Sequence, residues 1–582
     1  MQLPDELDPI TFDLVRSTLE SIVDDMALTI VRTAYSNVVR DNMDFSTGFC
    51  NRHGELVAQG LTIPMHLGSV PDAMAAMRAA LGDELAPGDI WTMNDPYEGG
   101  MHLPDIYVVK PIFTSDERLV GYAVTIAHHT DVGGRVAGSN ASDSTEIYQE
   151  GLRIPPVHLY QRGQPNRTLF RLIEKNVRVP DKVFGDLNAQ IAACRLGEAR
   201  FLELLAAHGE RQLERYLTEL LDYSERRVRQ EIRAIPDGTY VFEDHIDDDG
   251  IDPDPLTIRV ALTVRDDTIH ADFAGTTPQV KGAINATFSV TRSMVYAAVR
   301  CVLSPDIPNN AGMFRSITIS APEASLVNPV VPASCAARGL TGFRLGDTLL
   351  GALAQAVPER VFAAGEGGNT GISIGGYDAQ RNPFIYVEFI CGCWGGRMTK
   401  DGIDGVTNPF SDLSNNPIEM TEAEYPLLIE AYELVPDSGG AGRQRGGMGV
   451  RKRFRFTERE AVLQVRSDRQ RFRPYGLDGG QPGAAGRNLL IQNGVAQVTS
   501  SKLTTLIHAG DVFDHVQAGG GGYGDPLERD PALVAHDVRE GRVSPERARE
   551  DYGVVLTPGT VEVDAAATLN ERGQRAAGGI AG

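Results

Sequence analysis

Several absences narrow the reading of this sequence. No run of about 18 apolar residues occurs anywhere, so a membrane-spanning helix is not expected. Met1 to Pro9 carries Asp5, Glu6 and Asp8 with no basic stretch and no apolar stretch, so a secretory leader is not expected and the cytoplasm is the default location. Cysteine is sparse, with 6 in 582 residues at positions 50, 194, 301, 335, 391 and 393. A chain of this length has no need of disulfide staples, and reduced thiols are expected. Positive charge is also in short supply. The 55 Lys and Arg against 78 Asp and Glu leave a net charge of -23, which repels phosphate backbones and anionic lipid, so neither nucleic acid nor a membrane is an expected partner.

Familiar motifs are missing too. The glycine-rich runs Gly519 to Gly524 and Gly439 to Gly449 do not continue into Gly-Lys-Ser/Thr and lack a strand-to-helix setting, so this chain shows no nucleotide site of its own. There is no Gly-x-Ser-x-Gly elbow to mark a serine hydrolase. Cys391-Gly392-Cys393 has a one-residue spacer where zinc knuckles and redox motifs have two, and buried strand cysteines are expected there.

What is present describes an ordinary globular protein, 42% hydrophobic and 23% charged, with room for about three or four domains at about 150 residues each. Asp8-Pro9 is a helix start, Asp as N-cap and Pro in the first turn. Leu14, Val15, Leu19, Ile22, Val23, Met26 and Ile30 follow at helical spacing. From Thr47 to about Ile126 short apolar runs bounded by Gly, Pro, Asn and Asp read as strands and loops. Val183 to Ile232 reads as a helical hairpin broken near Gly209, and the last third, from Phe384, as β-rich and heavy in glycine. The expected class is α+β, a multi-domain mixed α/β fold. Its divisions fall at 1–185 for an N-terminal metal-bearing region, 186–380 for the helical hairpin and a mixed region, and 381–582 for the β-rich part. The basic run from Arg443 to Arg455 is expected to form a solvated or acid-paired face.

The chemistry concentrates between residues 41 and 131. His102 and Asp105 stand three apart in a turn-rich segment, and His128 and Asp131 repeat that spacing at the end of a strand-like run. Two such units can meet at one ion, and Asp41 and Asp44, after the long helix, could add carboxylate oxygen. Mixed imidazole and carboxylate ligands suit Zn, Mn or Fe and leave open positions for water, the pattern of a catalytic site. His66 and His129 read either as groups supporting the ligands or as buried histidines satisfied by backbone.

Longer strings carry a resemblance. Asp44-Phe45-Ser46, Ile63 through Ser69, Asn94 through Asp105, His128 through Gly134, Glu146 through Gly151, Asp272 through Thr276, Pro308 through Gly312, Asp437 through Gly447 and Gly519 through Pro526 together resemble the hydantoinase B/5-oxoprolinase family. That family includes hydantoinase and caprolactamase subunits and a subunit of acetone carboxylase. The resemblance implies a subunit of an ATP-dependent enzyme that opens cyclic amides. A separate hydantoinase A type partner would bind ATP and phosphorylate the substrate carbonyl, in an expected heterotetramer with two copies of each chain. It also implies a divalent metal, Zn or Mn, on His102, Asp105 and His128, with Asp44 preferred over Asp41 as a further acidic ligand. Asp131, His129 and His66 would be the supporting or catalytic groups, with Asp131 holding an imidazole. An ATP-dependent ketone carboxylase and a non-catalytic scaffold for the partner are the alternatives.

Overall fold

A computed structural model describes residues 7–60 and 62–578, so the acids Asp5 and Glu6 lie outside the described residues. The first helix, Pro9–Thr33, starts where expected: the Asp8 carboxylate accepts from Thr11 N at 2.8 Å, and Pro9 occupies a position whose N–H has no partner in any helix. Phe12, Val15, Leu19, Ile22, Val23, Met26 and Ile30 face inward, whereas Leu14 lies off that stripe and is 58% exposed.

A seven-stranded antiparallel sheet follows, built from β1 (Phe45–Asn51), β2 (Leu56–Gln59), β3 (Ile90–Met93), β4 (Asp105–Phe113), β5 (Leu119–His128), β6 (Val157–Gln161) and β7 (Gln164–Pro165) in the order β2-β1-β5-β4-β3-β6-β7. Its central strands are buried on both faces. Ile106, Val108, Ala123 and Ala127 pack with the first helix and the helix Pro180–His208. Their neighbours Tyr107, Val109, Val124 and Ile126 point the other way, into a core shared with the helices Phe288–Cys301 and Gly339–Leu353. That core continues into a four-stranded sheet made of Gly238–Ile246, Leu256–Arg265, Thr268–Asp272 and Ile317–Ser320, the last of them parallel to its neighbour.

The long helical block breaks at Gly209, whose φ of 76° ends one helix before Glu210–Ile232 begins. The C-terminal part is β-rich as expected. A four-stranded sheet (Thr370–Tyr377, Pro383–Ile390, Glu460–Arg466, Lys502–His508) faces a five-stranded one (Leu427–Leu434, Val450–Phe456, Arg487–Gln492, Val495–Thr499, Val512–Val516) over a shared core of Ile372, Tyr386, Phe454, Leu463 and Phe513. Its glycine runs build structure: a Cβ on Gly446 would lie 1.9 Å from Gly520 O, so these segments pack backbone against backbone. The basic run is acid-paired, Arg451 with Asp514 at 2.8 Å, Arg453 with Glu430 at 2.9 Å and buried Lys452 with Glu388 at 2.6 Å.

The two expected divisions fall within continuous structure. Residue 185 lies inside the helix Pro180–His208, and one apolar cluster runs from Leu7 to Leu221 across it. Residue 380 lies in the turn between the paired strands Thr370–Tyr377 and Pro383–Ile390. All six cysteines are free, and among the described residues no helix is long and apolar enough to cross a membrane.

Candidate metal centre

The geometry of the antiparallel sheet builds the site. Asp105, the first residue of β4, sits directly opposite His128, the last residue of β5. Directly paired residues project to the same face with Cβ atoms about 4.5–5.5 Å apart, so one carboxylate and one imidazole meet there without further help. His102 joins them from a turn closed by Asp105 N donating to His102 O at 3.0 Å. His102, Asp105 and His128 each offer a ligand atom within 4.8 Å of the others, and all three residues are buried.

The hydrogen bonds decide which atoms are free. His102 Nδ1 lies 2.9 Å from the carbonyl of Ala336, which can only accept, so Nδ1 carries the proton and Nε2 keeps its lone pair. Asp105 Oδ2 accepts from Arg338 Nη2 at 2.6 Å, leaving Oδ1, which is 3.2 Å from His102 Nε2. Asn140 Nδ2 and His128 Nε2 are 3.1 Å apart. Turning that amide over lets Nε2–H donate to Oδ1 and leaves His128 Nδ1 with its lone pair. His102 Nε2, Asp105 Oδ1 and His128 Nδ1 are all buried without a hydrogen-bond partner, as is Asn140 Oδ1. Three residues that each offer a ligand atom to one point, each with an orphaned ligating atom and its other end held, fit a divalent ion.

Charge agrees with geometry. Burial, with Arg338 nearby, pulls His102 below the usual histidine range, and burial with the adjacent His102 pulls His128 well below it. Burial alone would raise Asp105, but His102, Arg338 and His66 outweigh it and hold the carboxyl well below the usual range. Neutral imidazoles around an ionised carboxylate are the protonation states a metal requires.

His66 and Asp44 stand beside this trio. His66 Nε2 is 3.7 Å from Asp105 Oδ2 and 3.8 Å from Asp44 Oδ1. Ser46 Oγ donates to Ile63 O at 3.3 Å and lies 3.2 Å from His66 Nδ1, an arrangement in which Nδ1–H donates and Nε2 keeps its lone pair. Burial pulls His66 down to about 4, and burial together with the Asp105 charge pushes Asp44 well above the usual carboxylate range. Asp44, His66, His102 and His128 line a partly open cavity, walled by apolar Ile63, Met65, Leu340, Phe343, Phe389 and Leu413.

Three expected site residues are elsewhere. Asp41 caps the short helix Asn37–Arg40, and its carboxylate is held by Arg40 at 2.7 and 2.9 Å. His129 follows His128 in the chain and so projects to the opposite face, where its Nε2 meets Gln190 Oε1 at 3.0 Å. Asp131 holds no imidazole; it accepts from Arg178 N at 2.7 Å and Arg178 Nη1 at 2.9 Å and steadies the loop leading to Asn140.

Sequence reasoning missed Arg338, Asn140, the Ala336 carbonyl and the role of Glu150. Glu150 Oε1 accepts from Ser334 Oγ, from Cys335 N at 2.5 Å and from Ala336 N at 3.0 Å, and so fixes the segment that touches both His102 and Asp105. Only Glu150 left a signal, within the string Glu146 through Gly151. Arg338 is 233 residues from Asp105 in the chain, and no local pattern connects them.

Residues 8–526 match the family described as hydantoinase B/oxoprolinase. The caprolactamase subunit beta of Pseudomonas jessenii is 36% identical, covering 97% of this chain and 99% of that one. The 5-oxoprolinase of Saccharomyces cerevisiae is 30% identical over 89% of this chain and 42% of its own length. The crystal structure of the ATP-dependent caprolactamase from P. jessenii superposes with a TM-score of 0.91 at 34% identity, over 98% of this chain and 100% of that one. On sequence and on fold alike, this chain belongs to the hydantoinase B/oxoprolinase family.

Proposed function

We propose that this chain is the B-type subunit of an ATP-dependent amidohydrolase that opens a cyclic amide of the lactam, hydantoin or 5-oxoproline kind. Its partner is a hydantoinase A type subunit that binds ATP, in an assembly with two copies of each chain. The observation that carries the reading is the convergence of His102, Asp105 and His128, each with an orphaned ligating atom, beside a cavity with apolar walls.

An amide resists water because attack destroys its resonance. Phosphorylation of the carbonyl oxygen by the partner removes that protection and makes the carbon electrophilic. His102, Asp105 and His128 would hold a divalent ion, Zn or Mn, which would supply the Lewis acidity that lowers the pKa of water from about 15.7 towards about 7. This chain's own residues do the rest. The Ala336 carbonyl and Arg338 orient His102 and Asp105, and the apolar wall excludes bulk water. His66 Nε2, its lone pair facing Asp44 and Asp105, is placed to accept a proton from the attacking water. The ring nitrogen takes up a proton as its C–N bond breaks, which leaves an acyl phosphate, and a second water hydrolyses that to the carboxylate and inorganic phosphate.

The test is ring opening by the assembled complex with ATP across lactams, hydantoins and 5-oxoproline. His102→Ala is expected to abolish it, and His66→Gln to reduce it with metal retained. Carboxylation of a ketone with no ring opening in the same assay would overturn the reading.

A further inference from the structure

Among the described residues six arginines are buried, Arg338, Arg344, Arg445, Arg466, Arg469 and Arg529. Five face carboxylates: Arg338 faces Asp105, Arg344 faces Asp468, Arg469 faces Asp347, Arg445 faces Asp404, and Arg529 faces Asp401 and Asp537. Arg466 is the exception. It is 4% exposed, ends the strand Glu460–Arg466 and lines the cavity of the metal centre. Nη1 donates to Asn140 O at 3.2 Å and Nη2 to Ser373 Oγ at 3.0 Å. A guanidinium has five N–H donors, so three remain uncommitted. Burial is the one influence on its ionisation, pulling it down to about 9, and among the described residues no acid opposes it.

The setting is built to hold this side chain. Gly371 pairs directly with Arg466 across the sheet, and a Cβ there would fall 2.7 Å from Nε and Nη2. Asn140 links the guanidinium to the metal centre, its carbonyl on Arg466 and its amide on His128. A buried charge without a counterion costs several kcal/mol, so a lone guanidinium lining a cavity calls for an anionic ligand.

Resting on the function proposed above, we infer that Arg466 binds the phosphoryl oxygens of the activated substrate and so distinguishes it from the free amide. The free ring of a simple lactam carries no charge for Arg466 to meet, whereas the phosphorylated form does. With a divalent ion bound, Arg338 and Arg466 together with the ion outweigh Asp44 and Asp105. That excess of positive charge suits a phosphoryl dianion, and the guanidinium fork matches two of its oxygens.

The test is calorimetric titration of the zinc-loaded full-length chain with inorganic phosphate, with acetate as the comparison anion. Wild type is expected to bind phosphate saturably and acetate at least about tenfold more weakly. Arg466→Gln should weaken phosphate by about tenfold or more with zinc content unchanged, and Gly371→Ala, which keeps the charge but displaces the fork, should weaken it too. If Arg466→Gln does not fold, Gly371→Ala and Arg466→Lys decide. No phosphate binding by wild type, or affinity unchanged in the folded variants, overturns the inference; acetate binding as tightly as phosphate overturns the phosphoryl assignment. Because this titration needs neither the partner nor turnover, failure of the ring-opening assay and failure of the Arg466 site are seen separately.

Discussion

Glu150→Ala should loosen the candidate metal centre without touching His102, Asp105 or His128. Glu150 Oε1 accepts from Ser334 Oγ, Cys335 N and Ala336 N, and it is buried. Removing it strands three buried donors, each worth about 1–3 kcal/mol if nothing replaces the acceptor. The segment must then shift, carrying the Ala336 carbonyl away from His102 Nδ1 and Arg338 away from Asp105 Oδ2. Loss of such supporting contacts costs about 10–100-fold in metal affinity, or about 1.4–2.7 kcal/mol, and that is the expected weakening. Glu150→Gln keeps an acceptor oxygen in the same place and should stay within about threefold of wild type. Competition with a fluorescent zinc chelator reads both. Unchanged affinity in a folded Glu150→Ala chain would refute the argument that this carboxylate acts through the Ala336 segment.

The same residue has a pH signature. Burial pushes the Glu150 carboxyl up from 4.5 to about 7 against three opposing hydrogen bonds. A raised folded-state value means the associated stability is fully present below pH 4.5 and is lost as pH rises through about 7. Glu150→Gln should therefore gain on wild type over that interval, by on the order of 3 kcal/mol, and hold the gain above it; a flat difference in chemical denaturation between pH 5 and 8 would contradict this. Gln190→Leu, which removes the partner of His129 and the donor to Ile106 O, should cost about 1–3 kcal/mol of stability and leave metal affinity unchanged. Lys452→Met strands Glu388 in the C-terminal core and should cost about 3–5 kcal/mol, read as earlier loss of protection in amide hydrogen exchange of Val450–Phe456.

How much was legible in the sequence depended on how local the cause was. The Asp8-Pro9 start and the break at Gly209 are local, and both stand where the residues placed them. The α+β class and the glycine-heavy β-rich end were also legible, because strand and helix periodicities are local. The units His102 to Asp105 and His128 to Asp131 look alike as strings, yet only three of the four residues converge. Asp105 opens a strand and His128 ends one, whereas Asp131 lies beyond the strand and meets Arg178. Strand parity alone separates His129 from His128, so that distinction was available to reasoning on alternation. The Arg338 and Arg466 contacts were not, since they join segments hundreds of residues apart. The position of residue 185 inside helix Pro180–His208, which packs in the N-terminal core, was not legible for a related reason: no composition change marks it.

Elemental analysis of the purified chain, beside His102→Ala, His128→Ala and His129→Ala, tests the central claim most directly. The account predicts about one zinc or manganese per chain in wild type, its loss in the first two variants, and its retention in His129→Ala, because His129 faces away from the centre. A wild-type chain that takes up no metal on reconstitution, or a His129→Ala chain that loses it as fully as His102→Ala, would contradict the account.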